Sequence, residues 1–175
     1  MMQLLMQLPD ARNSAPFGPA SRIATPADAP ALANLLARAF GDETWTPQRV
    51  HAALLDDPTV TEVRVIDGAG GLVATASSRR VDRFAGQGYV HWVAAAPDQA
   101  GRGLGRGIVS HVIDRFVRDG MASVVLETDD ARLAAISAYL GLGFVPQYPD
   151  ASHMARWSTV FVALGSARAR KAGVG

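Results

Sequence analysis

Cysteine is absent from the 175 residues. That excludes a disulfide framework, a thiolate zinc site and a covalent cysteine nucleophile. Lysine is nearly absent as well: Lys171 stands alone and Arg supplies the other basic residues, a bias of composition. No apolar run approaches the ~20 residues that a membrane-spanning helix needs. The opening MMQLLMQLP has no basic residue before its short apolar stretch, contains two Gln and meets Pro9, which argues against a secretory signal. Charge of one sign is lacking too: a net charge of +1 exerts no global pull toward nucleic acid or an anionic membrane. The run Arg168 to Lys171 reads as a solvated end rather than a nucleic-acid patch. His51, His111 and His153 have no spacing suited to a metal site, so no metal is expected. These absences lead us to expect a cytoplasmic protein with neither nucleic-acid nor membrane partners.

What is present suits a single packed domain. Hydrophobic residues make up 49% of the chain, enough for a sizeable core. The expected division is a flexible N-terminal extension over 1–20, a domain over 21–165 and a basic C-terminal tail over 166–175. Within the domain, Ser21 to Ala24 reads as a short strand, and Thr25-Pro26 starts a helix whose face is Leu32, Leu35, Leu36, Ala39 and Phe40. Thr46-Pro47 starts a second helix carrying Val50, Leu54 and Leu55, closed by Asp56-Asp57-Pro58. Two strands joined at Asp67 to Gly71 form a hairpin. A third strand, Tyr89 to Ala96, runs into a glycine loop and an amphipathic helix that ends at Gly120. Ser123 to Thr128 is a strand. Asp129 and Asp130 offer caps for a helix through Leu140, a further strand surrounds Val145, and SHMARWSTVFVAL reads as strand or helix, its spacing favouring helix. Trp45, Phe84 and Trp157 read as core. The order gives an α/β fold: one mixed, mostly antiparallel sheet flanked by helices.

The loop Pro97-Asp98-Gln99-Ala100-Gly101-Arg102-Gly103-Leu104-Gly105-Arg106-Gly107 is the densest signal. Glycine permits left-handed backbone and close approach of a ligand, and a helix starting there aims free N–H groups and its dipole at that space, which favours phosphate. The P-loop pattern fails because Arg106 and Gly107 stand where Lys and Ser/Thr are required. A dinucleotide fingerprint wants wider glycine spacing, although Glu127 lies near the place of its acidic residue. A tight turn chosen for packing is the bland alternative.

The stretch Ala100-Gly101-Arg102-Gly103-Leu104-Gly105 resembles the acyl-CoA loop of the GNAT acyltransferase superfamily. Ala95-Ala96-Pro97 is similar to the strand exit that precedes that loop. Ala135-Ile136-Ser137-Ala138-Tyr139-Leu140-Gly141-Leu142-Gly143-Phe144 is similar to a later family stretch, and the order of elements agrees from about residue 21 to 148. Two departures stand out: Ala100 replaces the family's Arg or Gln, with Gln99 one position early, and Arg132 stands where Asn is common.

The resemblance implies an acetyl-CoA-dependent N-acetyltransferase acting on a primary amine of a small molecule or peptide, with acetyl-CoA as cosubstrate. Gly101 to Gly107 would cradle the diphosphate by main-chain groups, with Arg102 and Arg106 at the rim. Val93, Ala94 and Ala95 would orient the acetyl-pantetheine. Tyr139 would be the acid for the leaving thiolate and His91 the base, with Glu127 next in line. Strand alternation places Tyr89, His91, Val93 and Ala95 on one face. The acceptor site would come from Phe40 to Asp57 and the stretch after Phe144. Homodimers are common in the family. Two other functions fit the same fold: a non-catalytic acyl-CoA sensor, and an interaction module using its C-terminal helix.

Overall fold

The computed structural model describes residues 3–171. Seven strands form one sheet in the order β2-β3-β4-β5-β6-β1-β7. They are β1 (Leu4–Leu8), β2 (Arg22–Ile23), β3 (Val60–Gly68), β4 (Gly71–Arg79), β5 (Gly88–Ala95), β6 (Val124–Thr128) and β7 (Val145–Pro146). Every pairing is antiparallel except β5 with β6. The helices are α1 (Ala29–Phe40), α2 (Pro47–Val50, continued by a wider turn His51–Leu55), α3 (Leu104–Arg118), α4 (Leu133–Leu140) and α5 (Ala151–Lys171). The mixed, mostly antiparallel sheet flanked by helices is therefore as the sequence implies.

Each face of the sheet has its own core. On one, Ile108, Val112, Ile113 and Phe116 of α3 pack with Val90, Leu126, Tyr139, Phe144 and Trp157. On the other, Leu32, Leu35 and Leu36 of α1 pack with Trp45, Val50, Leu54, Val65 and Ala94. Trp45 and Trp157 are core residues, 5% and 1% exposed.

The N-terminus departs from expectation. Leu4, Met6 and Leu8 are buried while Leu5 and Gln7 are half-buried, the period-2 signature of a strand. This strand lies between β6 and β7, pairing Leu4 with Thr128 and Met6 with Pro146. The segment expected to be a loose extension thus supplies a strand of the sheet over Leu4–Leu8. After β1 the chain straps across α3: the Phe17 N–H donates to the Ser110 hydroxyl at 3.0 Å, and His111 Nε2 meets the Pro19 carbonyl at 3.1 Å. Burial of three apolar side chains and pairing along both edges offset the cost of ordering the segment.

Two smaller expectations change. The C-terminal helix runs through Lys171, so its last turns take up residues assigned to a basic tail; 172–175 lie outside the described residues. Asp130 does not cap α4, whose N-cap is Arg132; its carboxylate instead pairs with Arg156 of α5.

If β1 is structural, Leu4→Ala will lower unfolding stability by about 2–5 kcal/mol in urea titration. A loose extension would show a change within about 0.5 kcal/mol.

Candidate functional site

The site is built where β5 leaves β6. Parallel pairing covers only Gly88 with Val124, Tyr89 with Val125 and Val90 with Leu126. Beyond those residues β5 continues to Ala95 and β6 to Thr128 with no ladder between them. On its other side β5 stays paired with β4, but the register slips. Ser77 faces His91 while Thr75 faces Ala94, so three steps on β5 match two on β4. The extra residue is a bulge, and Trp92 carries it at φ +45°. A bulky side chain seldom adopts this left-handed backbone. Aromatic packing holds it there: the Trp92 ring meets Trp45 edge-on at 4.8 Å and Phe40 at 5.5 Å.

The bulge corrects the expected alternation. Tyr89 and His91 do share a face, with ring centroids 6.0 Å apart, and His91 lies 5.2 Å from Trp92. Past the bulge the faces exchange, as a one-residue slip requires. Val93 and Ala95 join Val90 in the core under α3, while Trp92, Ala94 and Ala96 pack on the α1 side.

At the end of β5 a short turn, Pro97–Gln99, leads into the glycine loop. Gly101 and Gly103 have φ of +83° and +76°, and a Cβ on either, or on Gly105, would meet nothing within 4 Å. The glycines are there for backbone conformation, and space lies open above them. Gly107 N–H is the first to close on a helical carbonyl, that of Gly103 at 2.9 Å. The N–H groups of Gly103 to Arg106 therefore point out of the end of α3. Gly107 itself plays another part: the Phe17 carbonyl stands 3.3 Å from where its Cβ would be, so it seats the N-terminal strap. Arg102 donates to the Gln99 side chain, which places Gln99 at the loop despite its offset from the family position. Arg106 reaches across to the Gly141 carbonyl at 3.2 Å and ties the cradle to the end of α4. A cavity of about 490 Å³ adjoins the other flank of the loop, between Arg102, Ala96 and the β3–β4 turn. It includes neither Tyr139 nor His91.

Tyr139, on α4, is 3% exposed. Its ring lies 6.0 Å from Phe144. Burial pushes its phenol up to about 12, against the opposing pull of the Arg132 charge. The group stays protonated across the neutral range. His91 is pushed the other way, down to about 4, by burial and then by the Arg79 guanidinium. Arg79 stands 3.5 Å from His91 Nε2, while Nδ1 is buried without a partner. Glu127 lies on β6 one residue past the last β5–β6 pair and accepts the Tyr89 hydroxyl at 2.9 Å. Arg83 pairs with the same carboxylate. Burial first, then the Glu127 charge, raises the Tyr89 phenol. Among the described residues no cluster of His, Asp and Glu could hold a metal ion, and no helix is long and apolar enough to cross a membrane.

Sequence reasoning missed two parts of this site. Nothing in the run His91-Trp92-Val93 signals a bulge, because its cause is packing by Phe40 and Trp45, far off in the chain. The contact of Arg132 with β5 was signalled only as a departure from the family pattern.

A strand parted from its neighbour, a helix N-terminus opened by glycines and a buried phenol nearby define the class: an acyltransferase fold. Similarity to known proteins agrees. The profile of the acetyltransferase (GNAT) family matches residues 29–144, and the chain belongs to that family. It is 34% identical over 122 residues to the N-alpha-acetyltransferase RimI of Mycobacterium tuberculosis, covering 69% of this chain and 74% of that one. It is 31% identical over 110 residues to the mycothiol acetyltransferase of Renibacterium salmoninarum, covering 56% of this chain. There the chain spans only 32% of the relative's length. Among solved structures, an acetyltransferase of the GNAT family from Colwellia psychrerythraea shares the fold with a TM-score of 0.68 at 18% identity, covering 83% of this chain and 53% of that one. The ribosomal-protein-alanine N-acetyltransferase of Brucella melitensis does so at 0.59 and 23%, covering 72% and 84%.

The depressed His91 gives a pH signature. The folded state holds this ring neutral down to about pH 4, whereas the unfolded chain protonates near its ordinary 6.5. Stability is therefore whole above 6.5 and falls as the pH drops from 6.5 toward 4. The His91 ring signal in NMR should titrate near pH 4, and His91→Gln should remove part of the acid-side loss. A midpoint near 6.5 would contradict the burial described.

Proposed function

We propose that this protein transfers an acetyl group from acetyl-CoA to a primary amine, in a direct reaction at the parting of β5 and β6. The observation that carries the proposal is the pairing of that parting with the glycine-opened end of α3 on the same strand exit. Open N–H groups and a helix dipole suit a diphosphate, and an unpaired strand edge suits an extended amide arm. Gly101, Gly103 and Gly105 would hold the diphosphate, with Arg102 and Arg106 at the rim. Val93 to Ala95 would orient the arm. Acetyl-CoA supplies the activated thioester.

The chain's own residues would move the protons. Tyr139, protonated at neutral pH, donates to the departing sulfur. For the amine, Glu127 is the stronger candidate base. One nitrogen of His91 faces Arg79 and the other is sealed in, and a ring depressed to about 4 accepts protons weakly. The Glu127 carboxylate, by contrast, stands at the mouth of the parting, oriented by Tyr89 and Arg83. His91 then positions the bulge beside Trp92. The relatives named above are an N-alpha-acetyltransferase and a mycothiol acetyltransferase, so both peptide and small-molecule acceptors belong in the test.

Calorimetry with acetyl-CoA, followed by turnover on a panel of amines, tests the proposal. Saturable binding and turnover are expected; binding without turnover would make the protein a sensor. Tyr139→Phe should lower kcat by about 10- to 100-fold while leaving acetyl-CoA affinity within about twofold. Glu127→Gln should reduce kcat/KM more than His91→Gln does. The reverse ranking would return the role of base to His91.

A further inference from the structure

Past Val90 the edge of β5 has lost its neighbour, and a main-chain carbonyl left on such an edge needs a donor. Val93 finds one in a side chain. Arg132 Nη2 donates to the Val93 carbonyl at 3.2 Å. The same guanidinium lies over the Phe40 ring, 4.6 Å from its centroid. Arg132 is the N-cap of α4, and Phe40 is the last residue of α1. The side chain therefore spans the opening, from the β6–α4 connection to the helix packed on the other face. The carboxylate two residues away gives it no anchor, because Asp130 pairs with Arg156. Among the described residues, one hydrogen bond to a neutral carbonyl and one contact with a ring hold this cation in place, an attachment a ligand can displace.

We propose that Arg132 gates the donor channel. Its guanidinium competes with the amide arm of the acyl donor for the Val93 carbonyl, and the arm seats only after Arg132 has swung off Val93 and Phe40. This rests on the acyl-CoA reading for the identity of the ligand. The gate is selective by construction: it acts on ligands that carry the arm and leaves the glycine loop free. Once released, the guanidinium remains a cation near the Tyr139 phenol, whose proton affinity it already lowers.

The test is calorimetry on the full chain with two probes, acetyl-CoA and ADP; the second has a diphosphate and no arm. The proteins are wild type, Arg132→Asn and Arg132→Lys, compared after thermal melts establish that each is folded. Both variants should bind acetyl-CoA about threefold to tenfold more tightly than wild type and leave ADP affinity within about twofold. Arg132→Lys keeps the positive charge but loses the planar guanidinium that lies on the Phe40 ring, so tightening there cannot come from charge removal. Unchanged or weaker acetyl-CoA binding in the variants, with wild type still binding, overturns the gate and leaves the acyl-CoA reading standing. Equal weakening of both probes in Arg132→Asn makes Arg132 a plain anion-attracting cation and also overturns it. Tightening in Arg132→Asn alone reduces the effect to charge and overturns the gate as well. Acetyl-CoA binding to variants while wild type binds none is the strongest support. Acetyl-CoA binding to none of the three removes the acyl-CoA reading and the gate together.

Discussion

The parting of β5 from β6 is the constraint on which the rest of the site depends. A parallel pair that continued past Val90 and Leu126 would satisfy its own main chain and leave nothing for a ligand. The bulge at Trp92 re-aims β5 just where the pair ends, and the cluster of Phe40, Trp45 and Trp92 keeps the strained backbone in place. That cluster belongs to the core under α1 and α2. Packing on one face of the sheet thus sets the geometry available to a reactant approaching from the other.

The electrostatics follow from the same opening. Desolvation acts in opposite senses on two groups: it keeps the Tyr139 phenol protonated and the His91 ring neutral. The open edges carry charge instead, with Glu127 and Arg83 on one side and Arg132 on the other. Neutral groups line the buried walls and ions stand at the mouths, as the cost of burying an unpaired charge requires.

Much of this was legible in the chain. Glycine spacing between an apolar strand and an amphipathic helix located the cradle, and the Tyr139 to Phe144 register located α4. Both signals are local, because they reflect backbone conformation and helical period. What escaped notice was nonlocal. The alternation in Leu4, Met6 and Leu8 was present, yet a short run ahead of Pro9 resembles a tail until its partners, more than a hundred residues on, are known. The exchange of faces after Trp92 is invisible for a similar reason: a strand reads as regular until something packed against it shows otherwise. Asp130 looked like a helix cap because caps are local, and it was claimed by Arg156 from a helix later in the chain.

The place of β1 also bears on the order of events at the ribosome. Leu4 to Leu8 leaves the exit tunnel ahead of every other strand of this sheet, but both strands that flank it, β6 and β7, are the last of the seven to be made. Until residue 146 has emerged, its apolar row has no permanent lodging, and the half-sheet from β2 to β5 must form around a missing neighbour. Contacts of such long sequence separation are slow to close. Chaperone demand should therefore be concentrated in the interval before residue 146 emerges, when a nearly finished sheet has yet to enclose the earliest of its strands.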